Sequence, residues 1–242
     1  MIRMMRSGAS GTLAGMHIAD LHPWPQNYNE AIAQQRLLAG GVRLVNELPN
    51  PVGTVAGVDV SYEKHGDLFF AGVVILSYPE LLVIEEQTAV ATVTFPYLPG
   101  LLSFRELPVL LEAFRLLETI PDVVLVDGQG LAHPRRFGQA CHLGLWLDLP
   151  TIGCAKSRLC GDAVEPGTRK GSRVDLLLNG GGVGQVLRTR DNVRPMFVSP
   201  GHKVDVEAAT ELVLNCCTRY RMPEPTRLAH QLTNRVRMEE RR

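Results

Sequence analysis

An acid and a glycine-rich turn follow directly on four apolar residues at positions 123–130, where the sequence reads VVLVDGQG. An apolar run this short that ends at a turn predicts a buried strand, with Asp127 at its C-terminal end. Strand C-termini are where α/β proteins bind ligands, and a glycine such as Gly128 lets the backbone approach a ligand closely. Asp127 is therefore a candidate ligand-binding acid, although capping of the turn is an equally simple role for it.

Two other acids stand where a carboxylate suits a metal ion. Asp59 interrupts an apolar strand, and an unpaired carboxylate buried there is costly unless it has a partner. Glu106 lies in the first turn of a predicted helix, where a capping box with Ser103 is the alternative role. Three converging carboxylates suit Mg²⁺, which takes oxygen ligands and keeps several waters. In phosphoryl chemistry such an ion activates the attacking water and stabilises the leaving oxygen.

A lysine and a histidine add to this set. Lys156 follows a short predicted strand and suits the neutralisation of a phosphate or of transition-state charge, or it is simply solvated. His202 lies in a predicted turn between a strand and a helix, where it is a candidate to position or deprotonate water.

The elements that must position these residues alternate in type along the chain. Short turns separate three β-rich runs, which favours antiparallel pairing. Asn27 and Glu30 resemble a capping box, and Ser103 is the predicted N-cap of a second helix. The predicted helices cover residues 29–46, 103–119, 134–147 and 205–219, and the predicted strands cover 54–62, 68–77, 82–95, 123–126, 151–153 and 194–199, with a hairpin inside 161–184. This order predicts an α/β fold with a mixed sheet, in which Asp127 lies near Asp59.

Composition limits the class of protein. The chain has 242 residues, 45% of them hydrophobic, and 25 basic residues balance 25 acidic ones, which argues mildly against a nucleic-acid-binding protein. Its five cysteines form no CxxC pair, which indicates free thiols in a reducing compartment, and we expect a cytoplasmic protein without a membrane span. Residues 1–25 are expected to be a disordered extension, 26–222 the catalytic domain, and 223–242 a loose C-terminal tail.

Taken together, these residues resemble the endonuclease V (deoxyinosine 3′ endonuclease) family, which has a ribonuclease H-like fold. The resemblance spans roughly residues 28 to 221 and keeps the family's order of motifs. It rests on five segments: VAGVD at 55–59, PYLPGLLSFRE at 96–106, VDGQGLAHPR at 126–135, GCAKS at 153–157 and VSPGH at 198–202. The proline–tyrosine segment and the Asp-Gly…His-Pro-Arg segment are the specific ones.

The resemblance implies a role for each matched position. Asp59, Glu106 and Asp127 would bind Mg²⁺, or Mn²⁺ in its place, and Lys156 and His202 would complete the catalytic set. The remaining roles are a DNA wedge at Pro96, Tyr97, Leu98 and Pro99, a base pocket at Gly100, Leu102, Gly130 and Gly153, and supporting positions at Gly128 and His133. An aromatic wedge suits base extrusion, because it restores part of the lost stacking.

The implied activity is hydrolysis of the second phosphodiester 3′ to a deoxyinosine, leaving 3′-hydroxyl and 5′-phosphate ends. Damaged DNA would be the partner of a monomeric enzyme, and inosine-containing RNA stays open as a substrate, because that choice depends on contacts to the 2′-hydroxyl. Two alternatives remain at this point: an inosine-binding module without catalysis, and another ribonuclease H-like nuclease that lacks the wedge.

Overall fold

The computed structural model describes residues 3–5, 16, 18–63 and 66–240. The described strands are β1 (Arg3–Met5), β2 (Thr54–Tyr62), β3 (Leu68–Ser77), β4 (Val83–Thr92), β5 (Val123–Val126), β6 (Thr151–Ala155), β7 (Arg173–Leu178), β8 (Gly181–Leu187) and β9 (Met196–His202). The described helices are α1 (Tyr28–Ala39), α2 (Leu102–Arg115), α3 (Gln139–Leu147), α4 (Val206–Asn215) and α5 (Glu224–Glu239).

All nine described strands form one mixed sheet in the order β1-β4-β3-β2-β5-β6-β9-β8-β7. Strands β2, β3 and β4 pair antiparallel, β2, β5 and β6 run parallel, and β9 runs antiparallel to β6. The predicted ribonuclease H-like mixed sheet flanked by helices is thereby confirmed. The parallel run matters for the site, because β2, β5 and β6 end at one edge of the sheet.

Each face of the sheet is covered by helices that bury an apolar stripe. One core joins α2 and α3 to the sheet through residues such as Leu107, Phe114 and Leu143. The other core joins α4 and α5 to the opposite face through residues such as Leu212 and Leu232. Removal of this apolar surface from water is the main force that holds the helices in place. None of the helices in the described part of the chain has the length and hydrophobicity needed to cross a bilayer.

The prediction of a loose tail after residue 222 is wrong, because these residues form α5. Pro225 stands near the N-terminus of this helix, and its buried side chains include Ala229, Leu232 and Val236. A Cβ at Gly57 of β2 would lie 2.0 Å from the carbonyl carbon of Pro225. Glycine at position 57 thus lets the start of α5 pack directly on the sheet.

Two local predictions are also corrected. Helix α2 begins at Leu102, so Ser103 lies within its first turn, and its hydroxyl pairs with His142 Nδ1 at 3.0 Å instead of capping the helix. The Asn27 side chain does cap α1, its Oδ1 accepting from the backbone N–H of Glu30 at 3.1 Å, as predicted. Helix α1 ends at Ala39, before the glycine pair at 40–41.

The predicted disorder of residues 1–25 is wrong for residues 18–25. The Trp24 ring stacks on Trp146 with a centroid distance of 5.3 Å, and His22 Nε2 lies 2.7 Å from His142 Nε2. Residues 3–5 form the edge strand β1 beside β4. The rest of the predicted extension, at 1–2, 6–15 and 17, lies outside the described residues.

Candidate active site

Two acids lie side by side at the edge where the parallel strands end. In the register of β2 and β5, Val58 pairs with Val126, so Asp59 and Asp127 are the next residues on neighbouring strands. Such strands lie about 4.8 Å apart, which brings the two carboxylates together. Their side chains are only 12% and 13% exposed. The predicted adjacency of these acids is confirmed.

The third acid, Glu106, reaches this edge from α2. It is 7% exposed, and its Oε2 accepts a hydrogen bond of 2.8 Å from Gln139 Nε2. Burial, followed by the nearby charges of Asp59 and Asp127, raises the pKa of Glu106 to about 8. The capping-box role does not apply, because Glu106 bonds to α3 and not to the start of its own helix. Two strands and a helix therefore bring three carboxylates into electrostatic contact.

Lys156 joins the site from the loop after β6. Its Nζ donates to Asp127 Oδ2 at 2.5 Å, and its side chain is 42% exposed. Burial raises the pKa of Asp127, while the hydrogen bond and charge of Lys156 oppose that rise. The ammonium group is thus held beside the acids and remains accessible to a ligand from solvent.

A histidine that the sequence reasoning missed completes the cluster. His230 of α5 lies with its Nδ1 3.0 Å from Asp59 Oδ2, and its side chain is 48% exposed. The Thr233 hydroxyl donates to the same carboxylate oxygen at 2.8 Å. The missed signal is the apolar spacing of α5 after Pro223, which is typical of a helix with one buried face.

His202 does not lie at this site, which corrects the prediction that it is catalytic. Strand β9 runs antiparallel to β6, so His202 pairs with Thr151 at the opposite edge of the sheet. It is 3% exposed, and its Nδ1 lies 3.2 Å from the Arg43 backbone nitrogen. Burial is the main cause that lowers its pKa. His202 is a structural residue that joins β9 to the segment after α1.

A cleft of about 380 Å³ opens beside the acids. Its walls include Gly100, Leu102, Asp127, Gly128 and Lys156. The predicted wedge residues Tyr97, Leu98 and Pro99 also line it. Tyr97 is 64% exposed, whereas Leu98 packs in a small cluster with Ala31, Leu101 and Phe104. The loop is therefore anchored by its leucine and presents its tyrosine at the mouth of the cleft, next to exposed Pro96.

Two of the four predicted base-pocket residues line the cleft and two do not. Gly100 and Leu102 line the cleft, but Gly130 and Gly153 are packing glycines. A Cβ at Gly130 would lie 2.2 Å from the Pro200 carbonyl oxygen, and one at Gly153 would lie 2.4 Å from the Gly130 nitrogen. These glycines let the turn after β5 lie against β6 and β9. The supporting residues Gly128 and His133 both line the cleft.

The donor chemistry of the cluster suits a divalent cation, although within the described residues no group of three His, Cys, Asp or Glu side chains is already closed around a metal position. Each acid instead directs an oxygen toward a protein donor, from Gln139, Lys156 or His230. Burial and, after it, the charges of Asp59 and Asp127 raise the pKa of Glu106, and a cation relieves repulsion of this kind between carboxylates. Asp59, Glu106 and Asp127 are therefore the residues that fit a hard metal ion.

Comparison with known proteins agrees with this arrangement. The family model described as Endonuclease V matches residues 36–231. The chain is 50% identical over 225 residues to Endonuclease V of Methanothrix thermoacetophila, covering 93% of this chain and 99% of that protein.

Solved structures show the same fold. The crystal structure of Endonuclease V from Streptomyces avermitilis matches with a TM-score of 0.86 and 42% identity, covering 95% of this chain and all of that one. Endonuclease V from Ciona intestinalis, solved with a 24mer DNA containing an inosine followed by a ribo-adenosine, matches with a TM-score of 0.77 and 30% identity, covering 87% and 97% of the two chains. On its sequence, its fold and its cluster of acids, this chain belongs to the Endonuclease V family.

Proposed function

We propose that this chain is a metal-dependent endonuclease of DNA repair that recognises deoxyinosine, the product of adenine deamination. It hydrolyses the second phosphodiester 3′ to the lesion and leaves 3′-hydroxyl and 5′-phosphate ends. The observation that carries the proposal is the position of three carboxylates and Lys156 beside a cleft with an exposed tyrosine at its mouth. The Ciona intestinalis relative bound to inosine-containing DNA supports the choice of substrate.

The cleft supports recognition of an extruded base. Its volume of about 380 Å³ has room for a single base, and Gly100 and Gly128 are among its lining residues. Hypoxanthine lacks the 2-amino group of guanine, so a glycine wall in contact with the base would exclude guanine by size. Adenine differs instead in its hydrogen bonding, because it carries an amine where hypoxanthine carries a carbonyl oxygen. Extrusion costs a few kcal/mol, and stacking on Tyr97 in the vacated space offsets part of that cost.

Asp59, Glu106 and Asp127 would hold Mg²⁺, with Mn²⁺ as a substitute. The bound ion would supply a more acidic water and stabilise charge on the leaving oxygen. The protein's own groups prepare the site in three ways. Lys156 places a positive charge beside Asp127, His230 and Thr233 fix the orientation of Asp59, and Gln139 fixes that of Glu106.

A nicking assay tests the proposal directly. An end-labelled duplex with one deoxyinosine is incubated with Mg²⁺ or with EDTA, beside the same duplex with adenine at that position. We expect a Mg²⁺-dependent nick one nucleotide beyond the lesion, absent with Asp127→Ala and retained with Asp175→Ala, which removes an exposed carboxylate of β7. Cutting by Asp127→Ala at the wild-type rate would refute the role of the acids.

The same assay separates the alternatives. Metal-independent binding of the inosine duplex without any nick would identify an inosine-binding module. Preferential cutting of RNA–DNA hybrids that lack inosine would identify another ribonuclease H-like nuclease. A matched strand with a single ribo-inosine measures activity on RNA. The monomeric state and the cytoplasmic location stay predictions, and sedimentation of the purified protein tests the first.

A further inference from the structure

Three donors converge on one backbone oxygen at the base of the wedge loop, residues 96–100. The Gly100 carbonyl accepts from Gln35 Nε2 at 2.9 Å and from Arg135 Nη2 at 2.8 Å, and His133 Nε2 lies 3.0 Å away. A carbonyl oxygen has two lone pairs, so three donors saturate it. The Gly100 peptide is therefore fixed by side chains from two separate segments, α1 and the segment after β5.

These donors also brace one another. Gln35 is 1% exposed, and its Oε1 accepts from Arg135 Nε at 2.5 Å. The Arg135 backbone N–H donates to His133 Nδ1 at 3.2 Å, which leaves the proton of the neutral ring on Nε2, facing Gly100. Burial, followed by the charge of Arg135, lowers the pKa of His133 to about 4, in agreement with a neutral ring. The clamp, defined as Gln35, His133 and Arg135, is a closed network.

The loop that the clamp holds contains two prolines and ends in a glycine with a positive φ angle. Pro96 and Pro99 each fix one φ angle. Gly100 has a φ of +76°, a conformation that favours glycine, and a Cβ there would lie 2.8 Å from Arg135 Nη2. A restraint on this glycine therefore sets the direction in which exposed Tyr97 projects.

We propose that Gln35 and Arg135 are positioning residues that hold the wedge loop through the Gly100 carbonyl, so that Tyr97 enters a duplex as part of a preordered arm. Gln35 lines the cleft but has no free N–H for a base, because its amide donates to both Gly100 and Phe137. The clamp thus acts through the loop and not on the reacting atoms. This inference rests on the proposed function, since it assigns a purpose to the wedge.

The predicted effect is on duplex substrates. A preordered arm lowers the entropy cost of insertion, so its loss weakens binding where a base must be extruded. With Arg135→Met or Gln35→Leu, we expect KM for the inosine duplex to rise about tenfold with kcat within about twofold, because hydrogen bonds from charged or buried donors are lost. With inosine already unpaired in a bulge, we expect KM to change by less than about threefold for the same reason.

Two internal controls accompany these variants. Arg136→Met removes the same charge at the adjacent, exposed position and is expected to leave the ratio of duplex KM to bulge KM at the wild-type value. In the double variant of Gln35 and Arg135, we expect KM for the inosine duplex to be only slightly higher than in the stronger single variant, because both side chains act through one carbonyl. Thermal melting verifies that each variant folds. If Arg135→Met does not fold, Arg135→Lys is used in its place, because it keeps the charge and loses the fork of donors.

A second readout does not depend on cutting. A 2-aminopurine beside the inosine reports unstacking by its fluorescence in EDTA, and we expect a smaller rise with Arg135→Met than with wild type at equal occupancy. An equal rise in KM on both substrates, additive effects of the two variants, or the same effect from Arg136→Met would overturn the inference. A wild-type protein that unstacks the duplex without cutting it would refute the proposed nuclease and leave the clamp intact.

Discussion

Replacement of His230 by alanine is expected to slow catalysis and to leave the stability of the fold nearly unchanged. His230 Nδ1 lies 3.0 Å from Asp59 Oδ2, and the side chain is 48% exposed. Because a hydrogen bond from a half-exposed side chain contributes only about 1 kcal/mol to stability, we expect the free energy of unfolding to fall by no more than that. Because His230 orients Asp59, its loss misplaces one of the proposed metal-binding acids, and we expect single-turnover nicking to slow by about 10- to 100-fold.

His202→Ala is the matched control, with the opposite expected result. His202 is 3% exposed and accepts from the Arg43 backbone N–H, so its removal takes away a buried side chain together with the acceptor of a partly buried donor. We expect the free energy of unfolding to fall by about 1–3 kcal/mol. The nicking rate per folded molecule is expected to stay within about twofold of wild type, because the side chain lies at the opposite edge of the sheet from the acids.

The assay uses enzyme in excess over an end-labelled inosine duplex, so that the rate of one turnover is measured, and urea unfolding gives the stability of each variant. The reasoning fails if folded His202→Ala cuts a hundred times more slowly while His230→Ala cuts normally. That result would place catalysis at the edge of the sheet opposite to the three acids. If His230→Ala lost as much stability as is expected for His202→Ala, that result would contradict the difference in burial between the two side chains.

Three further outcomes follow from the same geometry. Because the pKa of Glu106 is raised from 4.5 to about 8, folding favours its protonated form, and the free energy of unfolding in metal-free buffer should fall as the pH rises through that window. The slope is at most about 1.4 kcal/mol per pH unit; Glu106→Gln should abolish it in urea titrations at pH 5 and pH 8, and an unchanged slope would contradict the raised pKa. Tyr97→Ala should leave thermal stability unchanged, since the ring is 64% exposed, and raise KM for duplex about 5- to 100-fold, the range expected for one lost stacking contact. Gly57→Ala should destabilise the chain by about 1–3 kcal/mol or more and slow nicking, because its Cβ would collide with Pro225 and displace α5. Gly53→Ala, whose Cβ would meet Asp122 Oδ2 at 3.5 Å, is the control that should melt like wild type.

Much of the site was readable in the sequence because its signals are local. The short apolar run before Asp127 and the apolar strand around Asp59 each predicted a strand, and both predictions agree with the structure. The order of antiparallel strands, helix and strand also predicted that these acids are neighbours, which the β2–β5 register confirms. Lys156 follows the predicted short strand and contacts Asp127. The alternation of side chains along a strand and the topology of a crossover can both be predicted from the sequence pattern alone.

The choice between His202 and His230 required the tertiary structure. His202 ends strand β9 and His230 lies within helix α5, and neither has a local pattern that indicates which edge of the sheet it reaches. The direction of β9 relative to β6 moves His202 away from the acids, and the packing of α5 on Gly57 brings His230 to them. Pairing direction and helix docking depend on contacts between residues far apart in the chain. The same physical reason separates Gly100, which lines the cleft, from Gly130 and Gly153, which lie outside its walls and allow close packing of the backbone.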